Sequence, residues 1–204
     1  KLIDFGVLKH SHLRWGVIAQ FFYVGVQIMC WTFIIQYGTR LFMAEGMAEQ
    51  EAEVLSQKYN IVAMVIFCIS RFVCTFMLRF INPGMLLKIL AIAGACFTMG
   101  VIFFRNILGL YCLVAVSACM SLMFPTIYGI ALNKLGDDAK FGAAGLIMAI
   151  LGGSVLPPLQ ASIIDMHTVF GMPAVNVSFV LPFICFIVII IYGHRSYARS
   201  KMLK

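Results

Sequence analysis

The chain has 204 residues, of which 62% are hydrophobic and only 11% charged, and its formal net charge is +7. Soluble domains are about 45–50% apolar and about 25% charged, so this composition excludes a soluble fold and indicates lipid as the solvent. The basic residues lie in short segments between apolar stretches and are not interleaved with aromatic residues, which excludes nucleic acid as a partner.

Hydropathy predicts six transmembrane helices, because a helix needs about 20 apolar residues to cross the hydrocarbon core. The predicted spans are 13–37, 59–78, 85–104, 107–132, 141–164 and 174–193. They are expected to form a single six-helix bundle over residues 1–204. The fold class is an all-α integral membrane protein, since the sequence lacks the alternating segments of about ten residues that indicate a membrane β-barrel.

The first span carries polar and aromatic side chains on one helical face. Gln20, Tyr23, Gln27 and Trp31 follow one another at helical spacing, so they share that face. Two amides are costly in hydrocarbon, and the face must therefore meet other helices or a watery cavity. An amide beside aromatic rings can bind a sugar, but the same side chains can serve helix packing, and the residues leave both interpretations open.

The fourth span contains a proline within its apolar sequence. Pro125 removes a backbone hydrogen bond and is predicted to bend the helix. Phe124 and Tyr128 lie at this bend and are candidates for lining a cavity. Ser117 and Ser121 share their face, but small hydroxyl side chains at helix interfaces usually serve packing, and we assign these two to packing.

The fifth span is rich in glycine and ends near a proline pair. Pro157 and Pro158 are predicted to break the helix before its outer end. A broken helix at membrane depth is tolerated only inside protein or beside a cavity, which suits a transporter. Close helix packing explains the glycines equally well.

The distribution of basic residues predicts the orientation in the membrane. Arg40, Lys58 and Arg105 fall on one side, together with an acidic run at 45–53. The other Lys and Arg residues, out of 15 in total, fall on the opposite side. The positive-inside rule assigns that side to the cytoplasm, so we expect both ends of this segment there.

Groups that could carry a proton or a reaction are missing from the spans. Their central parts contain no Asp, Glu, His, Lys or Arg, so either transport is uncoupled or the proton-carrying carboxylates belong to another part of the protein. The chain starts at Lys1 with neither an initiator methionine nor a signal peptide, and we expect a fragment of a longer protein. No catalytic or metal-ligand motif occurs, so we expect no enzyme, metal or cofactor.

Several segments resemble, in the same order, the L-fucose:proton symporter family of the major facilitator superfamily. Residues 22–25, Gln27 and the pair Cys30–Trp31 are similar to the seventh helix of that family. Residues 124–127 resemble its tenth helix, and residues 133–157 provide the strongest match. The resemblance covers nearly the whole chain.

The segment around Arg71 and Arg79 resembles the signature cytoplasmic loop after the family's eighth helix. Ser70 and Cys74 stand where glycines are expected. The resemblance implies that Arg71 and Arg79 hydrogen-bond helix ends and stabilise the cytoplasmic gate. Positive charges at this face serve orientation as well, and the two roles are weighed as comparable.

The resemblance implies a mechanism and a position within a larger protein. The six spans correspond to helices seven to twelve of a twelve-helix transporter, which makes this chain its C-terminal half. The family's proton-linked carboxylates lie in the N-terminal half, and the two bundles rock about a central sugar site in the bacterial inner membrane. This half would contribute a substrate-binding cavity wall. That wall consists of Tyr23, Gln27, Trp31, Phe124 and Tyr128.

The expected function is proton-coupled import of L-fucose, with the lipid bilayer and the N-terminal half as partners. One alternative is a glucose or galactose transporter of the same family, although Cys30 and Trp31 favour the fucose branch. A second is a self-contained six-helix protein that acts as a dimer. A third is a membrane-embedded enzyme or chaperone-like subunit, for which the sequence offers no catalytic cluster.

Overall fold

The computed structural model describes residues 10–202. The helices are α1 Ser11–Ala44, α2 Glu49–Met77, α3 Pro83–Phe103, α4 Ile107–Met120, α5 Met123–Leu132, α6 Ala139–Met148, α7 Gly152–Ile164, α8 Ala174–Ser178 and α9 Val180–Met202. Short 3-10 helices lie at Gly136–Asp138 and Ala149–Leu151, and the strands β1 Thr168–Val169 and β2 Met172–Pro173 pair antiparallel. With α4–α5, α6–α7 and α8–α9 each counted as one interrupted helix, this part of the chain has six helices that could cross a membrane, which confirms the predicted fold class.

The first two helices extend beyond the apolar segments from which they were predicted. α1 has 34 residues and α2 has 29. At 1.5 Å per residue they are about 51 Å and about 44 Å long, against about 30 Å of hydrocarbon. The extension of α2 comes from the acidic run, since Glu49 and Glu51 lie in its first turn, where the helix dipole stabilises negative charge.

α1 lies at the centre of the bundle. It packs against α2, α4, α5, α6, α7 and α9, while α3 and α9 form the most extensive helix pair. α2 is the least covered helix, with only Ala52, Ser56, Ala63 and Cys74 buried. We call the end of the bundle that carries Ser11 and Met202 the inner end and the opposite end the outer end.

The interruption between α4 and α5 falls at residues 121–122. It lies within one turn before Pro125, whose missing N–H cannot bond the carbonyl of Ser121 four residues earlier. The bend predicted from Pro125 is therefore confirmed, and it places Phe124 at the start of α5.

The interruption between α6 and α7 is the 3-10 helix Ala149–Leu151, and Pro157 and Pro158 both lie inside α7. The prediction that the proline pair breaks the helix was wrong, because the interruption lies before the pair and α7 runs through it to Ile164. A proline disturbs the turn that precedes it, because its ring meets the carbonyl four residues earlier. The carbonyls affected here belong to Gly153 and Ser154, so the pair does not account for the 3-10 helix at Ala149–Leu151, and the helix continues through both prolines.

Side chains from two other helices close the outer end of α3. The Tyr37 hydroxyl donates to the main-chain oxygen of Phe104 at 2.8 Å. The Asn176 amide donates to the same oxygen at 3.0 Å and to that of Val101 at 3.1 Å. The last carbonyls of a helix have no partners within it, so these bonds satisfy α3 and join it to α1 and α8.

The hairpin β1–β2 at the outer end was not predicted from the sequence. Phe170 and Gly171 form its two-residue turn with φ angles of 52° and 75°. Two consecutive positive φ angles are typical of a type I′ turn, and glycine at the second position favours it. The hairpin connects α7 to α8 and leaves the Phe170 ring fully exposed.

At the inner end, Asn82 begins α3 and joins it to α9. Its side-chain oxygen accepts a hydrogen bond from the N–H of Gly84 at 2.9 Å, and its amide donates to the Ser200 hydroxyl at 3.0 Å. Pro83 occupies the first helical position, where its missing N–H has no cost. Asn82 is thus the N-terminal cap of α3.

Candidate functional site

Three of the five predicted wall residues lie together between α1 and α5. The Tyr23 ring lies 6.3 Å from the Phe124 ring with a tilt of 57°, and the Phe124 ring stacks on Tyr128 at 6.3 Å and 10°. Phe124 and Tyr128 are one helical turn apart on α5, which aligns their rings. The result is a row of aromatic faces beside the α4–α5 break.

Tyr23 is almost completely buried, with 1% of its surface exposed. Its hydroxyl donates to the main-chain oxygen of Met120, the last residue of α4, at 2.9 Å. The hydroxyl therefore stabilises the end of α4, and the ring packs inside the bundle against Phe124.

The other two wall residues, Gln27 and Trp31, lie further along α1. The Trp31 ring contacts the Phe67 ring of α2 edge-on, with 5.0 Å between centroids and 77° between planes. Its indole N–H is buried and has no hydrogen-bond partner among the described residues. Gln27 is half-buried one turn away, so an indole donor and an amide lie on one face. The contribution of Phe67 was not predicted from the sequence, because its position in α2 does not distinguish it from the other apolar residues of that helix.

Gln20 is the most deeply buried polar residue of this face, with 0% exposure. Neither its amide nitrogen nor its amide oxygen has a partner within residues 10–202. A buried amide without hydrogen bonds costs about 1–3 kcal/mol. Gln20 therefore makes no hydrogen bond to another helix, whereas Tyr23 and Trp31 of the same face contact α4 and α2.

A polar cluster supports the α4–α5 break from the side of α2. The Ser70 hydroxyl donates to the main-chain oxygen of Ala118 at 2.9 Å, and the Ser121 hydroxyl donates to Ser70 at 3.1 Å. Ser121 thus serves helix contact, as its residue type predicted. The contribution of Ser70 was missed, because it depends on which helix faces α4.

Arg71 lies in the inner half of α2 and Arg79 in the turn after it, and both are exposed. The Arg79 guanidinium lies 5.8 Å from the Phe76 ring. Neither arginine side chain hydrogen-bonds a helix end in the described part of the chain, where His10 and Asp138 form the one ion pair, at 3.5 Å. Their proposed hydrogen bonds to helix ends are therefore not seen among the described residues, and their role at a gate stays a prediction.

No group of three or more His, Cys, Asp or Glu residues within residues 10–202 is arranged to hold a metal ion. All seven cysteines are free and lie within transmembrane helices. Cys30 and Cys185 are buried among apolar side chains, where free cysteine behaves as a small hydrophobic residue.

Comparison of sequences identifies relatives along almost the whole chain, although no family model matches it. The chain is 53% identical over 196 residues to an L-fucose-proton symporter of Haemophilus influenzae. This match covers 96% of this chain and 43% of the relative. An L-fucose-proton symporter of Escherichia coli is 32% identical over 184 residues, covering 89% and 39%. A glucose/galactose transporter of Brucella abortus is 27% identical over 185 residues, covering 91% and 42%. Each of the three is named as a transporter or symporter, in agreement with the expectation that the chain is not an enzyme.

Solved structures show the same arrangement of helices. The crystal structure of the major facilitator superfamily transporter FucP in the outward conformation matches with a TM-score of 0.82 at 30% identity, over 95% of this chain and 45% of that one. A structure of the E. coli fucose:proton symporter FucP matches with a TM-score of 0.83 at 29% identity, over 95% and 46%. The chain spans about half the length of the relatives that it matches, and it belongs to the L-fucose:proton symporter family of the major facilitator superfamily, with the fold of a C-terminal six-helix half.

Proposed function

We propose that this chain is the C-terminal half of a proton-coupled symporter that imports L-fucose by alternating access. The observation that carries the proposal is the 53% identity, along 96% of the chain, to a relative named as an L-fucose-proton symporter. Transport of glucose or galactose is the second candidate, because a relative with that name is 27% identical over 91% of the chain.

The proposed sugar-binding wall combines two kinds of contact. The stacked rings of Phe124 and Tyr128, beside the ring of Tyr23, offer an apolar surface for one face of a pyranose. Gln27 and the Trp31 indole N–H, which has no partner among the described residues, supply hydrogen bonds for sugar hydroxyls. Both sets adjoin α1, because Phe124 contacts Tyr23 and because Gln27 and Trp31 belong to that helix.

The proton is proposed to travel through carboxylates of the N-terminal half. The central parts of the six spans contain no ionisable side chain that could carry it. In this arrangement the poorly covered α2 faces the other half, and the exposed Arg71 and Arg79 contribute to its cytoplasmic gate. The excess of basic residues supports an inner-membrane orientation with both ends of the segment in the cytoplasm.

Uptake of radiolabelled L-fucose tests the proposal in vesicles that contain the natural protein to which this chain belongs. We expect an imposed inward proton gradient to drive accumulation, a protonophore to abolish it, and excess galactose or glucose to leave it unchanged. Inhibition by either hexose would favour the second candidate. Absence of any sugar uptake would overturn both.

The same assay separates a half-transporter from a self-contained dimer. Vesicles containing residues 1–204 alone should show no gradient-driven sugar uptake, because half of the sugar site and the proton-carrying groups are missing. Uptake by this segment alone would support the dimer instead.

A further inference from the structure

A cavity of about 620 Å³ lies at the inner end of the bundle, between the starts of α1 and α3, the end of α5 and the last turns of α9. None of the five proposed sugar-contacting residues lines it. Trp15 in its wall precedes Tyr23 by about 12 Å along the axis of α1, at 1.5 Å per residue. The cavity is therefore a separate feature from the proposed sugar-binding wall.

The polar part of this inner cavity is positively charged. Lys134, Arg195 and Arg199 line it, and the Arg195 guanidinium lies 4.5 Å from the centroid of the Trp15 ring. Within residues 10–202 no carboxylate lies within ion-pair distance of these three cations. The nearby Asp138 pairs with His10 at 3.5 Å instead. Three cations around one cavity favour an anionic ligand.

Tyr192 also lines this cavity, but its hydroxyl is buried against Gly16 of α1 and is not accessible from the cavity. The hydroxyl of Ser196, one turn later on α9, donates to the main-chain oxygen of Tyr192 at 2.9 Å. The basic side chains are therefore the groups that can reach an anion in this cavity.

The remaining walls are apolar, and the position of the cavity suits a lipid. Trp15, Ile130 and Met202 line it beside the basic residues. The ends of four membrane-spanning helices surround it, which places it at the level where phospholipid head groups lie. Basic pockets between helices on the cytoplasmic side are typical binding sites for anionic head groups.

We propose that the inner cavity binds the phosphate group of an anionic phospholipid. Arg195, Arg199 and Lys134 neutralise the phosphate, and Trp15 packs against the glycerol and the upper acyl chain. This inference does not depend on which sugar the protein transports.

Native mass spectrometry of the detergent-purified natural protein tests the proposal through the fraction of molecules that retain added phosphatidylglycerol. We expect R195Q/R199Q to reduce the affinity about 25-fold, at about fivefold for each basic side chain. The matched control is R40Q/R105Q, which removes the same charge at the outer end and should leave the affinity unchanged.

A second variant tests the site if the double variant fails to fold. Lys134→Gln removes one exposed charge from the cavity lining, so folding should be preserved while lipid affinity falls about fivefold. Lys140→Gln, also exposed but outside the cavity lining, is its control and should have no effect.

The choice of probe distinguishes the possible sources of the phosphate. We expect phosphatidylglycerol to bind and neither zwitterionic phosphatidylethanolamine nor inorganic phosphate to compete with it. Competition by inorganic phosphate at similar concentration would retain the anion site and overturn the lipid. Equal lipid retention by R195Q/R199Q and R40Q/R105Q, or by Lys134→Gln and Lys140→Gln, would overturn the site itself.

Discussion

The two interrupted transmembrane helices are held by different kinds of contact. At the α4–α5 break, the main-chain oxygens of Met120 and Ala118 accept hydrogen bonds from Tyr23 of α1 and Ser70 of α2, both at 2.9 Å. At the α6–α7 interruption, Gly152 lies so close to the main-chain oxygen of Phe21 that a Cβ atom would overlap it. The first break depends on directional hydrogen bonds and the second on steric fit, with α1 as the common partner.

The largest loss of stability is expected at the contact between Gly152 and α1. Gly152→Ala places a methyl group against the backbone of α1, which cannot move away like a flexible side chain, and should lower the free energy of unfolding by about 3 kcal/mol. Thermal unfolding of the natural protein in detergent measures this change.

Gly129→Ala on α5 is the matched control for Gly152→Ala. Nothing lies within 4 Å of a Cβ atom at Gly129, so alanine should be neutral or stabilise the helix by up to about 1 kcal/mol. Equal unfolding temperatures for the two variants would show that steric fit does not hold the α6–α7 interruption.

A smaller loss is expected at the hydrogen-bonded break. Tyr23→Phe removes the bond to the oxygen of Met120 and should destabilise the protein by about 1.5 kcal/mol, because the hydroxyl is buried. Tyr128→Phe should leave the unfolding temperature unchanged, since its hydroxyl makes no hydrogen bond within the described residues. If both variants unfold together, the Tyr23 hydroxyl does not stabilise α4.

The smallest effect is the coupling between two serines of the same break. Ser70→Ala and Ser121→Ala should each cost about 1 kcal/mol, and the double variant should cost less than their sum by about 0.5 kcal/mol. The reason is that the Ser121 hydroxyl donates to Ser70, so one substitution removes their shared bond. Ser154→Ala, at an exposed position of α7, is the control. Strict additivity in the double-mutant cycle would contradict the connected network.

Local composition was sufficient to predict the number of transmembrane helices and the bend at Pro125. Both follow from the residues of one segment, either its apolar length or a missing backbone donor. The hairpin around Phe170 and the position of the α6–α7 interruption were not predictable in this way. The interruption lies where Gly152 meets Phe21, a contact between residues distant in sequence, and proline spacing alone does not locate it.

The candidate face was predictable as a pattern but not in its division of roles. Helical spacing placed Gln20, Tyr23, Gln27 and Trp31 on one side of α1. Only the structure shows that the Tyr23 hydroxyl bonds the end of α4 and that the Trp31 ring contacts Phe67. Which side chains remain available for a ligand depends on the neighbouring helices, and the periodicity of one helix carries no information about them.

The most direct test of the proposed sugar-binding face is the equilibrium dissociation constant of L-fucose for the natural protein carrying Gln27→Ala. We expect about tenfold weaker binding from the loss of one hydrogen-bonding amide, with an unchanged unfolding temperature. Gln36→Ala removes an exposed amide from the same helix and should bind L-fucose like the unsubstituted protein. Equal affinity of the two variants would contradict the proposal and assign Gln27 to helix packing.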